Sequence, residues 1–424
     1  MAYQPENLDK RQKLIPEDSP LETLKTIGVA EKGPGVKNLM GSGAAKAVAE
    51  SIPGEKVTAN NFDKKLVELK QQLQTALELE HSTIPPYLCA LYSIKPNTNL
   101  MATEIIRSVV LEEMLHMIMV ANLINAVGGT PMIGAGETGK EHNFIPSYPT
   151  SLPGNVDPSL TVNLSYFSKE SIRTFWKIEH PTPDYKLPDN FGSTEKSYPS
   201  IGAFYEALMK NIVELEELAQ SMGHTIFTGK PGKQVTAEHY YGAGGKLFTV
   251  TNLVDAAKVI DEIVGQGEGA LGSIFSGDFD PDDPRYLIFG PGVSEFAHYF
   301  RFKEVHYGRF YAVGDSAHRD SHNKGLPTGE PFEVDWDQVC KMKANPKMKD
   351  YKPGTPIYDT MYDFNRTYSA LLDNINMACN GKQEVLREGI TMMYELKYKA
   401  IELMNIPIPG GDGYMAGPSF EYVK

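Results

Sequence analysis

The chain has 424 residues, and its 41 Lys and Arg against 54 Asp and Glu give a formal net charge of −13. The acidic balance argues against nucleic-acid binding, because neutralising phosphates requires clustered Lys and Arg. No apolar run approaches the roughly 20 residues of a membrane span, and the N-terminus lacks the apolar core of a secretory signal. Three widely spaced cysteines favour free thiols, so we expect a cytoplasmic protein.

Residues 1–60 are rich in Gly, Pro, Lys and Glu and show no sustained periodicity, which predicts an extended N-terminal arm. A single domain is predicted over residues 61–424. Its first helix starts near Asn61, where apolar residues begin to recur at steps of three and four. Pro85 and Pro86 are expected to kink or interrupt this helix before it resumes through YLCALYSI. Glu80 lies on its apolar stripe.

The second predicted helix, Met101–Val127, is almost entirely apolar and stops at a Gly-Gly pair. It nevertheless carries three ionisable residues, Glu112, Glu113 and His116. The residues that follow, at about 130–200, are rich in Pro, Gly, Ser and Asn and predict a long irregular insertion. The alternating run LTVNLSYF inside it could form a short strand.

The remaining pattern is also helical, so the predicted fold class is mainly α. A third helix is predicted at Ile201–Ser221, and a second insertion at about 223–292. We expect further helices at about 252–264, 293–313, 359–377 and 382–405.

Two Glu-x-x-His pairs stand out in these apolar helices: Glu113 with His116, and Glu295 with His298. Residues three apart project from one helix face. A buried carboxylate costs several kcal/mol unless it is paired, protonated or bound to metal. A single buried pair is explained by an internal ion pair. Two pairs with an upstream helical glutamate, Glu80, match the ligands of two iron or manganese ions in a four-helix bundle.

The third helix should supply a further carboxylate, and the sequence leaves several candidates. Glu206 is favoured because it follows an aromatic pair early in the helix. The cluster Glu214, Glu216 and Glu217 is more typical of a solvated face. Glu112 is expected either to support a metal ligand or to form an ion pair.

Six segments in order resemble one known family. The resemblance covers about residues 61–422 and is carried by LELEHSTIPPYLCALYSI, LEEMLHM, SIGAFYEAL, DEIVGQGEG, EFAHYFRFKEV and AGPSFEY. These segments look like the ferritin-like domain of the iminophenyl-pyruvate dimer synthase family, which includes violacein- and rebeccamycin-pathway proteins that join two oxidised aromatic amino acids. The resemblance implies a ferritin-like four-helix bundle with long irregular insertions and extra C-terminal helices. By position it implies that the metal ligands include Glu80, Glu113, His116, Glu295 and His298.

The sequence hypothesis is therefore a di-metal oxidoreductase of ferritin-like fold. Two iron ions are expected, with manganese as the alternative, because Glu and His ligands suit dioxygen chemistry. The long insertions favour an enzyme over a storage protein. The resemblance implies a small-molecule substrate that is aromatic and derived from an amino acid. Oxidative coupling of imino acids is the specific activity that the resemblance implies. Metal storage and a relative without catalytic activity are the rival hypotheses, and a homodimer is the expected assembly.

Overall fold

A computed structural model describes residues 57–134, 144–181, 197–242, 244–269, 274–276, 296–312, 314–318 and 321–423. The described residues form eight α-helices and no multi-residue strand, so the mainly α prediction is confirmed. In chain order the helices are α1 Phe62–Ser93, α2 Leu100–Ala126, α3 Lys169–Ile178, α4 Ile201–Ser221, α5 Leu253–Gly267, α6 His298–Tyr307, α7 Pro356–Cys379 and α8 Leu386–Leu403.

Helices α1 and α2 pack along each other and form the centre of the molecule. On one side they contact α4, α5 and α6, and α6 in turn packs on α3. On another side they contact α7 and α8, which pack on each other. The central pair therefore has two differently packed faces, and the apolar core is continuous through both.

Helix α1 runs through Pro85 and Pro86 without a break, so the expected interruption is wrong. A proline at position 86 cannot donate the backbone hydrogen bond that the carbonyl of Ser82 would accept. The hydroxyl of Tyr148 supplies that bond instead, at 2.8 Å from the Ser82 oxygen. Both prolines are buried, and α1 packs along α2, so tertiary packing also supports the helix across them.

Helix α3 lies inside the region that the sequence predicted to be irregular. Its start is a capping box, in which the side chains and backbones of Ser168 and Ser171 bond reciprocally. Ile172, Phe175 and Ile178 form its buried face. The predicted strand LTVNLSYF is also wrong, because its described residues contain only an isolated bridge between Val162 and Thr150.

Helix α6 is shorter than the predicted helix at 293–313. It begins at His298, after Ala297 in an extended conformation, and ends at Tyr307. The next residue, Gly308, has a φ of 61°, the left-handed value that terminates helices. Residues 296 and 297 precede the helix, so its start lies later than predicted. Glu295 itself lies outside the described residues.

Among the described residues, α2 alone is long and apolar enough to cross a membrane by length and composition. The helix is longer than the apolar run identified in the sequence, and 89% of its most apolar window is buried inside the protein. This burial is typical of a core helix. The boundary at residue 60, between an N-terminal arm and the helical domain, stays a prediction.

Candidate metal centre

Two groups of acidic and imidazole side chains meet in the interior beside α1 and α2. The first group is Glu80, Glu113 and His116, and the second is Glu113, Glu179 and His298. Within each group one ligand atom from every residue lies within 4.8 Å of the others. All five residues are at most 3% exposed. Glu113 belongs to both groups, so a single carboxylate joins two potential ion sites.

Four helices bring these residues together. Glu80 lies in the middle of α1, and Glu113 and His116 lie three residues apart on α2. His298 is the first residue of α6, and Glu179 directly follows the last residue of α3. Because α6 packs on both α2 and α3, its first residue lies between their carboxylates.

Both imidazoles present Nδ1 to the carboxylates. Nδ1 of His116 lies 3.4 Å from Oε2 of Glu80 and 3.7 Å from Oε1 of Glu113. Nδ1 of His298 lies 3.0 Å from Oε1 of Glu113 and 3.6 Å from Oε2 of Glu179. The two rings are stacked, with centroids 5.7 Å apart. The arrangement is nearly symmetric about Glu113.

The outer nitrogens of both rings are held by acceptors. Nε2 of His116 lies 2.8 Å from Oε1 of Gln266, whose amide nitrogen donates to the carbonyl of Gly244 and to Glu262. That amide orientation leaves the Gln266 oxygen as the acceptor, so the His116 Nε2 carries the proton. Nε2 of His298 lies 2.7 Å from Oε2 of Glu112. Protonation at Nε2 leaves Nδ1 of each ring with a lone pair for a metal ion.

A metal ion fits the donor set around Nδ1 of His298. Among the described residues, this buried nitrogen makes no well-aligned hydrogen bond, and carboxylate oxygens of Glu113 and Glu179 lie close to it. Nitrogen and carboxylate oxygen donors suit iron, manganese or zinc. An ion would bind where this nitrogen faces the shared carboxylate.

Each carboxylate of the two groups receives a hydrogen bond from a hydroxyl on one side. Thr83 donates to Oε2 of Glu113 at 2.6 Å, Tyr205 donates to Oε1 of Glu80, and Tyr87 donates to Oε1 of Glu179. The opposite oxygens of Glu80 and Glu179 are those that face the histidines. The hydroxyls therefore orient the acids and leave an oxygen of each directed to the centre.

The buried carboxylates of the centre need positive charge nearby to balance them. Burial and the neighbouring carboxylates of Glu179 and Glu80 raise the pKa of Glu113 to about 7. Burial disfavours a charged imidazole, yet the carboxylates of Glu80 and Glu113 raise the pKa of His116 above its usual value. Burial and the surrounding carboxylates have the same opposed effects on His298, and its pKa also rises. Without metal, protons would balance the charge that two cations balance when bound.

Behind His298, a buried ion pair supports the ring. Oε2 of Glu112 lies 2.7 Å from Nε2 of His298 and 2.8 Å from Nη2 of Arg301. Arg301 is fully buried, donates from Nε to the carbonyl of Phe296, and lies 3.1 Å from the hydroxyl of Ser108. Glu112 therefore meets both expectations from the sequence. It supports the ring of His298, and it forms an ion pair with Arg301.

The structure brings together four of the six predicted ligands: Glu80, Glu113, His116 and His298. Glu206 belongs to neither described group; burial and the carboxylate of Glu268 raise its pKa to about 7. Its role as a ligand stays a prediction, as does that of Glu295, which lies outside the described residues. Glu216 is buried, not solvated, and accepts hydrogen bonds from the hydroxyl of Thr225 and the backbone of Ile226.

Sequence reasoning missed Glu179. The residue follows α3, which was read as part of an irregular insertion. Two signals were available: the serine pair at 168 and 171 that caps a helix, and the apolar spacing of Ile172, Phe175 and Ile178. Recognising that short helix would have placed Glu179 at the end of a buried face.

The family comparison agrees with this geometry. A family model described as Ferritin-like matches residues 73–307, more than half of the chain. The chain belongs to the ferritin-like family. The matched range contains all five residues of the two ligand groups, so the centre lies within the ferritin-like part of the protein. A search of curated proteins finds no significant match.

The ferritin-like fold is also found in a solved relative. A crystal structure of a ferritin-like protein from Caulobacter vibrioides is similar with a TM-score of 0.53 and 21% sequence identity, over 87% of this chain and 100% of that chain. At this identity the similarity establishes the fold alone. The predicted ferritin-like bundle is therefore confirmed.

Proposed function

We propose that this ferritin-like protein binds two metal ions that share the carboxylate of Glu113. The observation that carries the proposal is the pair of buried ligand groups, each with one histidine whose Nδ1 faces Glu113. Iron is the first choice and manganese the alternative, because both accept mixed carboxylate and imidazole ligands. On this proposal Glu80 and His116 serve one ion, and Glu179 and His298 the other.

We further propose that the protein is an oxidoreductase acting on a small aromatic molecule derived from an amino acid. A bound iron pair would supply electrons to dioxygen. The chain itself holds the acids in fixed orientations through Thr83, Tyr87 and Tyr205. Beside Glu179, the rings of Tyr87, Phe175 and Phe302 pack together with centroids 4.6 to 5.3 Å apart and form an apolar wall.

Oxidative coupling of two imino acids is the specific reaction that we propose, by resemblance to the iminophenyl-pyruvate dimer synthase family. The proposed setting is a cytoplasmic homodimer in secondary metabolism. The three free cysteines, two of them buried, are compatible with a reducing compartment. The long segments between helices support a substrate pocket over a simple storage bundle.

Product analysis tests this function. Iron-loaded protein is given dioxygen and imines derived from tryptophan or phenylalanine, and the products are identified by mass spectrometry. We expect a product composed of two joined substrate molecules, formed by the wild type and not by His116→Ala. A hydroxylated single substrate would contradict coupling. No turnover, together with metal far above two ions per chain, would contradict the enzyme and support storage.

A further inference from the structure

A pocket lies on the other packed face of the central helix pair. It is formed by α1 and α2 on one side and α7 and α8 on the other, and it has a volume of about 110 Å³. The pocket is partly open to solvent, since Tyr241 in its wall is 53% exposed. A small molecule can therefore enter the space between the four helices.

The pocket is separate from the metal centre although it uses the same two helices. His81, Met114 and Met117 line it, and each directly follows a residue of the ligand groups, Glu80, Glu113 and His116 respectively. Consecutive residues of an α-helix point about 100° apart. Side chains of α1 and α2 thus serve the metal centre on one face and the pocket on another.

The wall of the pocket is apolar. None of its described lining residues is Asp, Glu, Lys or Arg, and most are aliphatic, aromatic or methionine side chains. Methionine side chains adapt to ligands of different outline. A charged ligand would lose its hydration here without gaining a counter-charge. The wall therefore selects a neutral molecule.

One polar pair interrupts this apolar wall. Nε2 of His81 lies 2.6 Å from the hydroxyl of Tyr368, and both residues line the pocket. An imidazole and a hydroxyl both add hydrogen-bonding capacity to this wall.

We propose that this pocket is a binding site for a neutral molecule the size of one aromatic ring. Its volume is slightly smaller than the roughly 150 Å³ of an apolar cavity known to stay dry and bind benzene. A ring with one small polar substituent, such as phenol, matches both the apolar wall and the pair of His81 and Tyr368. The proposal does not depend on the metal centre, because no ligand of that centre lines the pocket.

Calorimetric titration of the metal-free protein with phenol tests the site, with benzoate as the charged ligand of similar size. We expect phenol to bind with one molecule per chain and benzoate to bind at least about tenfold more weakly, because the wall offers no counter-charge. Absence of phenol binding up to its solubility limit, or equal affinity for benzoate, would overturn the proposal.

A variant pair on α8 places the binding in the pocket. Met393 lines the pocket, whereas its neighbour Tyr394 is 62% exposed. Met393→Trp should weaken phenol binding about tenfold or more by filling the space, and Tyr394→Trp should leave it unchanged. Equal affinity in both folded variants would overturn the assignment. If Met393→Trp does not fold, a crystal structure with 4-bromophenol decides: anomalous signal between α2 and α8 supports the site, and signal only elsewhere overturns it.

Discussion

Replacing Glu113 with alanine is expected to abolish the binding of both metal ions. Glu113 is the one residue that belongs to both ligand groups, and its Oε1 lies 3.7 Å from Nδ1 of His116 and 3.0 Å from Nδ1 of His298. Loss of a group that only orients a ligand typically weakens metal binding about 10- to 100-fold. Loss of a shared ligand should exceed that range at both sites.

Elemental analysis after metal loading and desalting measures the effect. Glu104→Ala is the matched control, since Glu104 lies on the same helix and pairs at the surface with Arg107. The control should retain the wild-type metal content. His116→Ala removes a ligand from the first group alone, so it should retain up to one ion per chain. Wild-type metal content in Glu113→Ala would refute the shared carboxylate.

Replacing Arg301 with alanine should destabilise the metal-free protein by about 3 to 5 kcal/mol, the range observed when one partner of a buried ion pair is removed. The guanidinium is fully buried and is held by Glu112, Ser108 and the carbonyl of Phe296. Without it, the carboxylate of Glu112 stays in the interior and keeps His298 as its remaining partner.

Urea unfolding of the metal-free variants measures this loss of stability. Arg107→Ala is the control because it breaks an ion pair with Glu104 whose side chains are 45% and 36% exposed. Such surface pairs contribute about 0 to 1 kcal/mol. If Arg301→Ala were no less stable than Arg107→Ala, Arg301 would not be a structural support of the centre. A further variant, Glu112→Ala with Arg301→Ala, should recover part of the loss, because it removes the uncompensated charge.

The helical fold and four of the five residues in the two ligand groups were predicted from the sequence: Glu80, Glu113, His116 and His298. Glu113 and His116 lie on one continuous helix, so their three-residue spacing was sufficient to predict that they face the same point. Glu80 was recognisable because its position on an apolar stripe is unfavourable without a partner. These predictions needed only helical periodicity and the cost of burying charge.

The positions of His298, which was predicted as a ligand, and of Glu179, which was missed, depend on tertiary contacts that periodicity does not report. His298 lies at the centre because it is the first residue of α6. Glu179 lies there because it directly follows the ten-residue helix α3. Continuity of α1 through two prolines likewise depends on a hydroxyl from Tyr148, far along the chain. Glu216 is also a buried glutamate, but its carboxylate accepts a hydrogen bond from the backbone of Ile226. That role depends on the tertiary fold.

The central claim is that two ions share one buried carboxylate, and Mössbauer spectroscopy tests it most directly. The protein is loaded anaerobically with ⁵⁷Fe(II), freed of unbound iron and measured before and after exposure to dioxygen. We predict about two irons per chain, in line with paired sites in helical bundles, and magnetic coupling between them after oxidation. Isolated, uncoupled ferric ions, or one iron per chain at saturation, would contradict the account.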